Sequence, residues 1–458
     1  MRLLILILFC SFSLIAQELQ KDTVISAIQL NDTTWKSYAV YLPDSYNESQ
    51  TFPIVFVFDD EGKGAETVRQ FSKGAALTQS IIVSPNYVFS DSLNVSVNES
   101  ASLINTVLGR LSVRQDRIIL AGKDKGALMA STNAHLSEDV YGVIAINDVF
   151  IDEKILYKNS KAGFVILNND TGREYYKLRD INSRYSFREK LKGYYEFETE
   201  EDGWPIADYL STALVDLLYE GDNEENIKKY YETDLAFGER LHANQKKLEA
   251  YDFVSDLKKQ YKKYSDLKNQ KELLKKIRAS TLYKLNKIQR NQARFEEQLL
   301  RQDVYFFLED DVSQAYFDNL GWWNYQMDEI DATIDSTSTN AQQKKSAKRL
   351  KGFMQSQVEE VYEHYNVATS SLEQLLFINI LRTLVNPTNQ EAIINVISLS
   401  AKEGDTNAAL FYLEELLATG FTDYDSLYRI EGTTAMRISE EWNAIIKDYL
   451  GKSKYYNH

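Results

Sequence analysis

The residues best placed to do chemistry are carboxylates. Asp124 lies in Gly122-Lys123-Asp124-Lys125-Gly126, directly after the apolar run Ile118-Ile119-Leu120-Ala121 and before the helix-like Ala127-Leu128-Met129-Ala130. Two glycines around one side chain, between a strand and a helix, allow a tight, strained turn that lifts the middle side chain above a sheet. A carboxylate presented in this way could attack an electrophilic carbon and form an ester. Asp170 follows the apolar run 164–167 through Asn168-Asn169, and Asp202 stands just before Gly203-Trp204-Pro205. Asp124, Asp170 and Asp202 could instead meet as an acidic pocket for a cation or a basic ligand. Asp59-Asp60-Glu61 gathers three acids at another strand end. They lack the spaced oxygen ligands of a calcium loop, which favours a solvated loop over a metal site. These residues imply no metal and no cofactor. Histidine is scarce: the chain has four, and within residues 20–220 only His135, on the helix after the glycine turn. That helix runs away from the strand ends, so His135 reads as a surface or core residue rather than a base.

The elements that must position these groups alternate over residues 20–220. Strand-like runs cover 23–30, 36–42, 54–58, 81–84, 117–121, 141–146, 164–167 and 194–198, between turn residues. The inner ones, such as Ile54-Val55-Phe56-Val57-Phe58, are continuously apolar, as strands buried on both faces of a parallel sheet are. The first two alternate and suit an antiparallel edge hairpin. Helix-like stretches at 101–111 and 126–136 fall between strands. This alternation predicts a doubly wound α/β domain, whose functional groups gather at the carboxyl ends of the strands.

From about Trp35 to Leu218 the chain resembles the esterase branch of the α/β-hydrolase superfamily, the group of feruloyl esterases and esterase D. Tyr41-Leu42-Pro43-Asp44-Ser45-Tyr46 and Phe52-Pro53-Ile54-Val55-Phe56-Val57-Phe58-Asp59 are similar to that family's opening, and 122–126 to its nucleophile elbow. The resemblance implies a nucleophile position at Asp124, an acid position at Asp170 and a histidine position at Asp202. It implies oxyanion-hole positions at Lys125 and Asp60. It covers under half the chain, and it departs from the family where chemistry is decided. The family's serine is Asp124 and its histidine is Asp202. Serine-type catalysis needs a hydroxyl and a base to take its proton; neither stands at these positions. A permanent carboxylate at the elbow would also repel the charge that an oxyanion hole stabilises. Haloalkane dehalogenases and epoxide hydrolases place an aspartate nucleophile at the same elbow, so an aspartate-based hydrolase of ester or related bonds remains the alternative. Those enzymes still use a histidine to activate water, and a carboxylate with a pKa of about 4 is a poor base at neutral pH.

The flanking segments bear on location and partners. Residues 1–16, MRLLILILFCSFSLIA, have a positive start, a short apolar run and a small residue at Ala16. This is the pattern of a secretory signal peptide and is too short to span a membrane. Cys10, the single cysteine, falls inside it, so cleavage after Ala16 would leave no cysteine. The expected location is the periplasm, the cell envelope or the exterior. From Glu239 to Leu320 there is neither glycine nor proline, and strong helix formers dominate. Apolar residues recur at helical spacing, including Val254, Leu257, Tyr261, Leu282, Leu285, Ile288, Phe295 and Leu299. This predicts a long helical hairpin or coiled-coil-like arm over 221–360, punctuated by Gly238 and Gly321. Residues 241–300 carry 15 basic and 7 acidic side chains within a chain whose net charge is -15. Such a stretch is either a solvated face or a surface that docks an acidic protein or an anionic membrane. Nucleic acid is a poor partner for an acidic, exported chain. Gly321-Trp322-Trp323-Asn324-Tyr325 reads as a core anchor, and the polar stretch 331–344 as a surface loop. In 361–458, Ala401, Gly404, Ala408, Ala409, Leu410, Leu413 and Leu416 have a spacing that resembles a tetratricopeptide repeat.

The sequence thus predicts an α/β-hydrolase-like doubly wound sheet over 20–220 followed by an all-α region. Its function would be protein binding or assembly, without catalysis, through the helical region. A further reading makes the α/β domain a mere spacer in a scaffold.

Overall fold

The computed structural model describes residues 20–31, 34–151, 162–185, 190–199, 203–264, 266–365 and 369–456. The expected signal peptide, 1–16, lies outside these residues.

Eight strands form one sheet: β1 (Val24–Gln29), β2 (Ser37–Tyr41), β3 (Phe52–Phe58), β4 (Ile81–Pro85), β5 (Val113–Lys123), β6 (Val140–Ile146), β7 (Gly163–Asn169) and β8 (Leu191–Phe197). Their order is β1-β2-β4-β3-β5-β6-β7-β8. β2 is antiparallel to β1 and β4, and every other neighbouring pair is parallel. This is the expected edge hairpin on a parallel, α/β-hydrolase-like sheet. The continuous apolar runs follow from burial on both faces. Val55, Val57, Ile119, Ala121, Ile144 and Ile146 enter one core. Their chain neighbours Ile54, Phe56, Phe58, Leu120, Val143 and Ala145 enter the other. α1 (Gly64–Thr78) and α5 (Ala207–Leu218) cover the first face, whereas α2 (Leu93–Leu108) and α3 (Lys125–Leu136) cover the second. Helix α4 (Tyr175–Tyr185) lies between β7 and β8.

The helical region comprises α6 (Glu224–Ala243), α7 (Lys247–Tyr261), α8 (Lys268–Ala279), α9 (Thr281–Gln314), α10 (Leu320–Asp335), α11 (Ala341–Tyr362), α12 (Leu372–Val385), α13 (Gln390–Glu403), α14 (Thr406–Ala418), α15 (Tyr424–Leu427) and α16 (Glu440–Leu450). Helices α6 to α8 do not project as a separate arm. Their buried residues Tyr230, Phe237, Phe253, Val254, Leu257 and Ile277 continue the first sheet core. Gly238 does not break a helix; it lies inside α6, and a Cβ there would come within 2.3 Å of Val254. The glycine serves close helix packing. Gly321 likewise lies within α10. The loop expected over 331–344 shrinks to residues 336–340. Ile330 is buried and Ile334 packs on the same core, so α10 continues to Asp335, and the Asn340 side chain accepts from the N–H groups of Gln342 and Gln343 to start α11. A third core joins Tyr175 and Tyr176 of α4 to α9, α10, α11 and α12. Trp323 anchors it, fully buried, and its indole N–H donates to Asp311 over 2.8 Å. A fourth core is confined to α13–α16 and their connections.

Candidate functional site

The glycine turn is built as a nucleophile elbow. β5 ends at Lys123, and Asp124 takes φ 50° and ψ -116° before α3 begins. Both glycines are sterically required. A Cβ at Gly122 would lie 2.2 Å from the backbone of Gly126, and one at Gly126 would lie 2.2 Å from the Phe58 carbonyl. The Asp124 N–H donates to the Ile146 carbonyl over 2.9 Å, and its own carbonyl accepts from Ala127 at 3.0 Å. These bonds hold a conformation that costs on the order of 1–3 kcal/mol in a non-glycine residue.

The Asp124 carboxylate is paired. Lys123, 7 % exposed in its side chain, places Nζ 3.1 Å from it. The Asn147 side chain also hydrogen-bonds it. Asn147 follows β6 with φ 65°, and its Oδ1 accepts from the N–H of Asn169 at 3.2 Å, which leaves its amide to donate to Asp124. Burial pushes the Asp124 pKa upward, against the pull of Lys123 and the Asn147 bond, and the charge of Asp60 adds to the rise.

The two oxyanion-hole positions adjoin this turn. Lys125 is the first residue of α3, where its N–H has no intrahelical acceptor; its side chain turns away to Asp91 at 3.0 Å. Asp60 has a buried Oδ1 without a hydrogen-bond partner among the described residues. Its neighbour Asp59 is structural, since its carboxylate accepts from the N–H groups of Glu61 at 3.3 Å and Lys63 at 2.7 Å. Among the described residues no cluster of three or more His, Cys, Asp or Glu could hold a metal ion. His135 lies near the far end of α3, with Nε2 3.1 Å from the Phe150 carbonyl.

Asp170 follows β7 and is drawn into the helical region. Its carboxylate accepts from Lys345 at 2.8 Å and from Arg349 at 2.7 Å, one turn apart on α11. Burial alone would raise its pKa, but these two cations outweigh burial and hold it below the usual carboxylate range. Arg349 also pairs with the buried Glu297 of α9, which in turn accepts from the Tyr176 hydroxyl at 2.7 Å. Arg294 of α9 reaches Glu196 of β8 at 3.2 Å. A cleft of about 530 Å³ opens beside this network, lined by Asp170, Glu196, Glu249, Arg294, Lys345 and Arg349 among others. Asp124 does not line it. Within it, burial lifts the Glu249 pKa to about 7 against the nearby Lys246 and Lys345.

The structure therefore places Asp124 beside Lys123, Asn147 and Asp60, and Asp170 beside Lys345 and Arg349. Asp202 lies outside the described residues; just after it, Trp204 rests edge-on against Phe71, ring centroids 6.0 Å apart. Sequence reasoning missed Asn147, Lys345, Arg349, Glu297 and Glu249. The only signal for the α11 pair was its spacing of four, which puts two cations on one helix face.

A comparison with protein-family models finds no match, and a comparison with curated proteins finds none either. Among solved structures the chain is similar to a thermostable esterase, with 16% identity over 46% of this chain and 63% of that one, at a TM-score of 0.33. It therefore spans less than two thirds of that esterase. It is similar to a feruloyl esterase module from Clostridium thermocellum, with 13% identity over 44% of this chain and 89% of the module, at a TM-score of 0.36. It is also similar to Thermogutta terrifontis esterase 2, with 14% identity over 38% of this chain and 82% of that one, at a TM-score of 0.31. These likenesses concern the fold alone. The strand order, the antiparallel edge and the strained elbow at the end of β5 give the first part of this chain an α/β-hydrolase-like fold.

Proposed function

We propose that this is an exported, catalytically silent esterase-like protein that acts in protein binding or assembly at the cell envelope. The observation that carries this reading is the engagement of the carboxylates at its nucleophile and acid positions. Asp124 is held by Lys123 and Asn147, and Asp170 by Lys345 and Arg349. Pairing with a cation makes a carboxylate a weaker nucleophile, and the ester it would form needs a base to activate water. The acid that would orient such a base is committed to two cations. Export rests on the pattern of residues 1–16. Binding is assigned to the helical region. Its basic helices α7 and α8, with the turn after α7, expose Lys258, Lys259, Lys262, Lys271, Lys275 and Lys276, which suits an acidic protein or an anionic surface. The paired helices α13 and α14, which share the fourth core, suit a repeat-like protein-binding module.

The test is hydrolysis of p-nitrophenyl acetate and butyrate by the purified chain, beside Asp124→Ala. The expected result is equal, background-level release of p-nitrophenol. Turnover that Asp124→Ala abolishes would instead establish the aspartate-elbow hydrolase. That second reading draws support from the strained backbone at Asp124, which the chain maintains without a serine.

A further inference from the structure

Helix α9 is 34 residues long and turns two different faces outward and inward. Inward, Tyr283, Ala293, Glu297, Val304 and Leu308 are buried against the rest of the chain. On the opposite side Leu285, Ile288, Phe295, Leu299 and Phe306 are exposed by 50%, 66%, 62%, 47% and 75%. Gln292 and Gln302 are exposed on the same side. The seven positions run 285, 288, 292, 295, 299, 302, 306, alternating steps of three and four. That is the spacing of a coiled-coil seam, not of the 3.6-residue stripe that faces a globular core. Single exposed apolar residues need no explanation, but five large ones on one line, about 32 Å long at 1.5 Å per residue, form a continuous apolar stripe.

We infer that this seam pairs with the same seam of a second copy of the chain, in antiparallel orientation. Turning α9 over and setting Phe295 against Leu299 brings Ile288 against Phe306 and Gln292 against Gln302. The apolar seam residues from 288 to 306 then meet apolar ones and each glutamine meets a glutamine, while at the two open ends Leu285 meets Glu309. A polar layer of this kind fixes register, because any slip buries an amide against hydrocarbon. Charge gives the same orientation. The first half of the exposed helix carries Lys284 and Lys287, and the second half carries Asp303, Glu309 and Asp310, all exposed. Antiparallel pairing sets the basic end of one copy beside the acidic end of the other. Parallel pairing would set like charges together at both ends. The arrangement is isologous and closes at two copies.

Sedimentation equilibrium of the full chain tests this. The expected result is twice the chain mass at micromolar concentration, reverting to the single mass in Phe295→Asp and Leu299→Asp with unchanged circular dichroism, since both side chains are exposed. Lys284→Glu with Lys287→Glu should weaken dimerisation at least tenfold, and adding Glu309→Lys with Asp310→Lys should restore it. In a Cys10→Ser background, Gln292→Cys combined with Gln302→Cys should cross-link between copies, and neither single cysteine should. Cross-linking by Gln292→Cys alone would mean parallel pairing and overturn the orientation. A chain that remains single up to about 100 μM, a generous ceiling for weak self-association, would overturn the proposal, as would a single chain that uses the seam to bind anionic vesicles.

Discussion

Gly126 and Gly321 are one residue type under opposite constraints. A methyl group on Gly126 would meet the Phe58 carbonyl at 2.2 Å, whereas nothing lies within 4 Å of one on Gly321. Gly126→Ala must push α3 off the sheet, and we expect a loss of about 3 kcal/mol or more, as for an overpacked core. Gly321→Ala sits at the exposed start of α10 and should gain up to about 1 kcal/mol from reduced unfolded-state freedom and better helix propensity. Urea unfolding of the two variants beside the parent checks both signs. The same contrast explains what the sequence disclosed at this scale. The elbow was legible because its constraint is local: strand, two glycines four apart, helix. The state of the Asp124 carboxylate was less so. Lys123 is its chain neighbour, but its burial and its inward direction are set by the surrounding sheet, and Asn147 comes from a different strand end.

At the scale of elements, the strands were legible because each inner one feeds two cores with alternate residues, which leaves an unbroken apolar run. The helices were legible in type but not in placement. Apolar spacing shows that α7 has a buried face without showing that this face completes the core of the sheet. Nor does spacing separate a residue facing the core, such as Tyr283, from one facing outward, such as Leu285. The joint between sheet and helices is ionic. Arg349 holds both Asp170 and Glu297, and its side chain is 3% exposed. Arg349→Met should cost about 3–5 kcal/mol, because it strands the buried Glu297 carboxylate and leaves Asp170 with Lys345 alone. Glu297→Gln with Arg349→Met should cost less than the two single changes together, by about 1–3 kcal/mol; a double-mutant cycle from denaturant midpoints measures the difference. Two neighbouring carboxylates have opposite pH signatures. Asp170, held low, stabilises the fold above about pH 4, and that contribution is lost as pH falls through its lowered value. Glu249, raised to about 7, keeps its proton in the folded chain after the unfolded chain has released it, so stability falls as pH rises toward 7. Glu249→Gln should remove that fall, worth about 1–3 kcal/mol between pH 5 and 8, and stability curves at those two pH values read it directly.

For the whole molecule, the division of cores decides where the chain can be cut. A boundary near residue 220 looks natural in composition, because glycine and proline thin out and helix formers take over beyond it. The packing places no boundary there. Tyr195, Tyr209 and Leu214 on the sheet side share one core with Tyr230, Phe237, Phe253 and Val254 on the helical side. Tyr209 packs against both Phe237 and Phe253, with ring centroids 4.9 Å and 6.0 Å apart. The buried polar groups follow the same pattern, since Asp234 of α6 accepts from Thr212 of α5 at 2.7 Å and from Tyr261 of α7 at 2.6 Å. A chain ending at Glu220 would expose that aromatic cluster to water, so it should be recovered as aggregate. The opposite holds near Asn386. Val385 belongs to the third core and Ile393 to the fourth, and the links between α12 and α13 include the polar contacts Asn395 to Asn379 and Arg382 to Glu391. Asn379 and Arg382 are buried there, but Arg382 keeps Glu359 at 3.0 Å without α13. A chain ending at Asn386 keeps the first three cores whole and uncovers only the α13-facing side of α12, so it should stay soluble and unfold cooperatively, at a lower urea midpoint than the parent. Size-exclusion elution and urea unfolding of the two truncated chains distinguish the outcomes. A soluble, cooperatively unfolding fragment ending at Glu220 would show that the sheet carries a complete core without α6–α8.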